Sequence, residues 1–120
     1  MPKYVDGFVL PVSKDKLEAY KKMAKKGAKM WKKYGALDYK ECLADDLESM
    51  GTPSLFPRMT KLKPDEVVVF SFIVYKSRAH RDQVMKKVMQ DPSMNEFIDD
   101  MPFNLKRMAA GGFSVMVDAA

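Results

Sequence analysis

Apolar positions along this chain fall into blocks of two kinds, some alternating and some recurring every three or four residues. The densest block is Val67 to Tyr75, VVVFSFIVY, in which Ser71 is the only residue that is neither apolar nor aromatic. Its β-branched content, bounded by Asp65-Glu66 and Lys76-Ser77, predicts a strand. Odd positions give Val67, Val69, Ser71, Ile73 and Tyr75, and even positions give Val68, Phe70, Phe72 and Val74. Both faces are apolar, so both need cover. Tyr4 to Val12, YVDGFVLPV, has the same two-sided character and predicts a second central strand, with Pro11 placed near its end where a missing N–H is tolerated.

A helical period follows. Leu17, Tyr20, Ala24, Gly27, Ala28, Trp31 and Tyr34 form one stripe of a long helix from Lys14 to about Tyr34, with Ser13 as its expected N-cap and Gly35 as its left-handed stop. Ala36 to Asp45 alternates with one face greasier than the other, which predicts a peripheral strand. Residues 46–66 carry Gly51, Pro53, Pro57 and Pro64, and so long a connection is expected to hold an extra edge strand or a packed arm near Phe56 to Lys63. Ser77 then caps a second helix to about Gln90, with Arg81, Val84, Met85, Val88 and Met89 on its inner stripe. Asp91-Pro92 restarts a short helix with Met94, Phe97, Ile98 and Met101 apolar. Arg107 to Val117 is the expected last strand, its Gly111-Gly112 pair marking a bulge or a close approach by another backbone.

Strand, helix, strand, strand, helix, strand is the ferredoxin-like βαββαβ plan of the α+β class: a four-stranded antiparallel sheet with both helices on one face and the first and third strands in the middle. Those two are the strands that are apolar on both faces. Two helices cover one side only, so the other side calls for a second copy, and a homodimer through sheet faces is expected. The 120 residues make a single domain, 1–120.

YVDGF near the start, GAL followed by Glu41-Cys42, EVVVFSFIVY with SRAHRD, DPSM, and MPFNLKRMAAGGF together resemble the YbaA-like bacterial family of unknown function, over nearly the whole chain. The resemblance implies a dimeric α+β barrel, the architecture of antibiotic-biosynthesis monooxygenases. It also allows a ligand cavity between helix and sheet, near the aromatic row Tyr20, Trp31 and Tyr34. It brings no activity with it.

Charge and composition narrow the classes. No apolar run approaches the length of a membrane span, and the start lacks a secretory pattern, so a cytoplasmic location is expected. One cysteine, Cys42, excludes an internal disulfide and reads as a small buried hydrophobe. One histidine and one cysteine cannot supply a zinc set, and no carboxylate loop or glycine-rich phosphate loop is present; neither metal nor cofactor is expected. The net charge of +5 is concentrated in nine lysines between Lys14 and Lys33, a stripe that suits phosphates but reads first as a solvated helix face. Eleven methionines point to an adaptable interior.

Candidate pocket residues are Asp6, Trp31, Tyr39, Glu41, His80 and Arg81. Asp6 and Glu41 interrupt apolar strand faces and need partners, with Arg58, Arg81 or Arg107 as the ion-pair choices. His80, the single histidine, stands at the start of a helix among arginines and has no orienting carboxylate in reach along its own helix. Three functions stay open: a small-molecule-binding protein or cofactor-independent monooxygenase-like enzyme; a noncatalytic dimeric stress or interaction protein; and, least favoured, an RNA-binding protein.

Overall fold

The two blocks that are apolar on both faces pair with each other. In the computed structural model, which describes residues 1–48, 55–98 and 101–119 (backbone only at 97 and 98), strand β1 (Tyr4–Ser13) and strand β3 (Glu66–Tyr75) run antiparallel along their whole lengths. Tyr4 lies opposite Tyr75 and Ser13 opposite Glu66. Strand β2 (Asp38–Leu43) joins the free side of β3, and strand β4 (Ala109–Ser114) the free side of β1, giving the order β2-β3-β1-β4. The sheet is antiparallel throughout, with the long apolar strands at its centre and the short mixed ones at its edges.

Helix α1 (Leu17–Lys33) and helix α3 (Arg78–Gln90) pack on the face that carries Leu10, Val12, Val69, Ile73 and Tyr75. Ile73 and Tyr75 meet Met30, Val84 and Val88; Leu10, Val12 and Val69 meet Tyr20 and Ala24. Phe8 and Met23 touch both clusters and tie them into one core. This is the ferredoxin-like fold. Gly35 closes α1 at φ 111°, a region that side chains with a Cβ avoid, and the turn lets Ala36 N–H donate to Trp31 O. Ser77 caps α3, its Oγ accepting from His80 N–H at 3.1 Å.

Three local expectations change, and one alternative is decided. Ser13 does not cap α1: one tight turn, Lys14–Lys16, comes between it and the helix, and its side chain accepts no backbone N–H while its hydroxyl donates to the Asp15 carboxylate. Of the two alternatives for the connection before β3, the described residues take the packed arm, as a short helix, α2 (Phe56–Thr60), and not the edge strand. Pro57 suits the first turn of a helix and has no N–H to give a strand. Positions 49–54 of that connection lie outside the described residues, as do the side chains of Phe97 and Ile98 in the short helix α4 (Asn95–Ile98). The last strand begins at Ala109, because Arg107 sits in the preceding turn, and it carries no bulge: Gly112 stays opposite Asp6 and Gly111 opposite Gly7. The glycine is there for a side chain instead, since a Cβ on Gly112 would stand 2.7 Å from Cε2 of Tyr4.

Helix α2 lies on the side of the sheet away from α1 and α3. Phe56 lines one hollow with Cys42, Val68 and Phe70, and Met59 another with Val5, Val9 and Phe72. Arg107 clamps this arm. Its guanidinium grips both Glu66 oxygens at 2.6 and 2.7 Å and donates to Thr60 O and Lys61 O at 3.1 and 2.7 Å. The arm buries Val68, Pro11 and Thr60. Beyond it Phe70 and Phe113 remain 43% and 62% exposed. Cys42 is exposed on the same face, contrary to the buried position expected of it, because a one-sided edge strand turns its even residues outward.

Candidate functional site

Where the two halves of the core meet, between α1, α3 and the sheet, there is a cavity of about 290 Å³. The small residues Ala24 and Gly27 on α1 leave its space, and a Cβ on Gly27 would come within 3.1 Å of the Tyr39 hydroxyl. Its walls are almost wholly apolar: Phe8, Leu10 and Ile73 from the sheet, Trp31 from α1, Met85 and Met89 from α3, and Met94, Met101, Phe103 and Met108 from the segment leading into β4. Methionine, unbranched and polarisable, adapts to irregular contents better than a branched side chain does.

Into this lining projects one carboxylate. Glu41 of β2 points to the helix side, opposite Ser71 of β3, and both its oxygens are held. Tyr20 O–H donates to Oε1 at 2.7 Å and Tyr39 O–H to Oε2 at 2.8 Å. Tyr20 comes from α1, twenty-one positions away, so two elements fix the group. Burial and the adjacent Glu41 push both phenols far above the ordinary tyrosine value, so they stay protonated and remain donors. Among the described lining residues Glu41 is the one charged side chain.

A second polar set lies behind the first. Asp6 of β1 is buried at 6% exposure and pairs with Arg81 Nη1 at 3.0 Å, while the Arg81 guanidinium stacks 4.9 Å from the Tyr4 ring centroid. Burial raises the Asp6 pKa, and Arg81 and the Tyr75 hydroxyl oppose that rise. Trp31 Nε1–H donates to the Tyr75 hydroxyl at 3.2 Å, which links the ion pair to the cavity wall. No buried side-chain nitrogen or oxygen among the described residues lacks a partner.

Of the six candidates, Trp31, Tyr39 and Glu41 line the cavity. Asp6 and Arg81 form the ion pair that sequence named as one alternative, and they stand off the cavity. His80 is elsewhere too: its Nδ1 accepts from Lys76 N–H at 3.0 Å, and its Nε2 would meet a Cβ placed on Gly35 at 3.2 Å. Burial, then Lys76 and Lys87, lowers its pKa. Sequence reading placed Tyr20 on the inner stripe but had no means of giving it to Glu41. Among the described residues no group of three His, Cys, Asp or Glu side chains converges to hold a metal ion, and no helix is long and apolar enough to cross a membrane.

The family model described as "Protein of unknown function (DUF1428)" matches residues 3–105. The chain belongs to the DUF1428 family. This DUF1428 chain is 47% identical over 116 residues to the uncharacterized protein YbaA of Escherichia coli K12, a match that covers 97% of this chain and 98% of that protein. The YbaA proteins of Escherichia coli O157:H7 and Shigella flexneri match with the same identity and coverage. Among solved structures, a dimeric ferredoxin-like protein from an uncultured marine organism superposes on the DUF1428 chain with a TM-score of 0.62 over 98% of this chain and 99% of that one. At 13% identity this likeness concerns the fold.

Proposed function

We propose that this protein is a homodimer, joined through the uncovered sheet faces, that binds one small and mainly apolar molecule in the cavity of each protomer. A dimeric relative in fold and the exposed Phe70 and Phe113 support the dimer. The observation that carries the binding reading is Glu41, a carboxylate fixed by two tyrosine hydroxyls in an otherwise apolar lining. Such a site combines apolar area for affinity with one placed acceptor for orientation. The ligand is therefore an apolar molecule with an N–H or O–H group to offer Glu41. Binding rather than covalent catalysis fits the lining, since Ser71 has no histidine beside it and Cys42 lies on the other face.

The test is fluorescence titration with N-phenyl-1-naphthylamine, a neutral apolar amine, with native mass spectrometry for stoichiometry. Wild type is expected to take one probe per protomer, and Gly27→Val, which crowds the Tyr39 hydroxyl, to lose it while keeping its circular dichroism. Equal binding by the two proteins, or no stoichiometric binding by wild type, overturns the reading.

A further inference from the structure

The cavity has a charged neighbour. Along the flank of α1, beside Glu96, Met101 and Pro102, runs a groove of about 560 Å³ lined by Lys16, Lys22, Lys25 and Lys26, with Glu96 as the acid among its described lining residues. Met23 and Met101 line this groove and also the inner cavity, so the two spaces share a wall made of two flexible, apolar side chains. Glu96 lies 3.6 Å from Lys26, while no carboxylate among the described residues is within ion-pair distance of Lys16, Lys22 or Lys25. Among the described residues, four ammonium groups of the groove next to the apolar chamber thus face one acid.

Resting on the binding reading above, we infer that the ligand is an anionic amphiphile whose apolar body fills the methionine-lined cavity while its acidic headgroup sits among Lys16, Lys22 and Lys25. The charge pattern decides the orientation. Glu41 inside repels an anion and accepts from a neutral donor, whereas the lysines outside attract an anion, so the acidic end stays at the rim. Exposed ammonium–anion pairs are individually weak, and two of them together are worth roughly three- to thirtyfold in Kd at low salt. Most of the affinity then comes from the apolar body, and the headgroup provides selection.

Displacement of N-phenyl-1-naphthylamine by decanoate, decyl phosphate, decanol and decylammonium separates the two claims. The expected order is both anions ahead of decanol and of decylammonium by about tenfold at low salt. That preference is expected to disappear in Lys22→Gln/Lys25→Gln, and in wild type when salt is raised. Decanol equal to the anions, decylammonium ahead of them, or displacement by none of the four, overturns the anionic headgroup and leaves the cavity reading standing. Failure of the probe itself to bind removes the cavity reading and this inference with it. A preference for decyl phosphate over decanoate, or the reverse, assigns the acid within the class and supports the inference.

Discussion

Changing Phe70 to aspartate tests the covered-face argument most directly. Phe70 and Phe113 together leave exposed about as much surface as one whole phenylalanine side chain, since they are 43% and 62% open. A phenylalanine buries roughly 200 Å², so covering these two is worth about 5 kcal/mol per chain at about 25 cal/mol per Å². The two copies of a symmetric interface therefore contribute about 10 kcal/mol, against an association cost of about 4 to 15 kcal/mol. Phe72, Val5, Val74 and Met59 on the same side add to the favourable term, which predicts a dimer at micromolar concentration. Phe70→Asp forfeits about 2 kcal/mol of burial per chain and desolvates a carboxylate at about 1 kcal/mol or more. Over both copies that is about 6 kcal/mol, or roughly four orders of magnitude in Kd. Sedimentation velocity from about 1 to 100 µM should show wild type as a dimer and the variant as a folded monomer. Met89, 55% exposed on the helix side, serves as the control, and Met89→Asp should leave the dimer in place. A wild type that sediments as a monomer, or a Phe70→Asp protein that stays dimeric, would refute the reasoning.

Three further outcomes follow from the same contacts. Arg81→Met strands the buried Asp6 charge and should cost about 3 kcal/mol in urea unfolding, with much of the loss recovered in Asp6→Asn/Arg81→Met; a single variant within about 0.5 kcal/mol of wild type refutes the pairing. The bidentate hydrogen bonds from Arg107 hold the Glu66 carboxyl down to about 2 from its usual 4.5, so the stabilisation of that pair is complete above about pH 4.5 and is lost as pH falls through about 2. Arg107→Gln should accordingly make unfolding free energy less steep across that window, and an unchanged slope would show the pair to be irrelevant. Gly112→Ala drives a methyl into the Tyr4 ring, which in turn carries Arg81, and should lower stability by about 1 to 3 kcal/mol; thermal unfolding unchanged from wild type would mean that Tyr4 moves freely.

What the sequence by itself determined is the plan of the sheet. Two-sided apolar patterns in β1 and β3 require central positions, the three-and-four spacing of α1 requires a buried stripe, and those demands depend on residues close together in the chain. Gly35 and Ser77 punctuate their helices by chemistry that acts over three or four residues, so they too were readable. Ser13 does not cap because a tight turn separates it from α1 and its hydroxyl turns to the Asp15 carboxylate, side-chain and turn geometry that a cap rule does not contain. Tertiary structure alone decided that Glu41 would meet Tyr20 and Tyr39, that Asp6 would choose Arg81 over Arg58 or Arg107, and that His80 would turn toward Lys76 and Gly35 instead of the cavity. It alone folded α2 across the far face, where Arg107 holds it from the other end of the chain. The physical reason is range: hydrophobic period is a local code, whereas the partner of a buried charge is whichever donor the packed elements bring within 3 Å, and sequence distance says nothing about that.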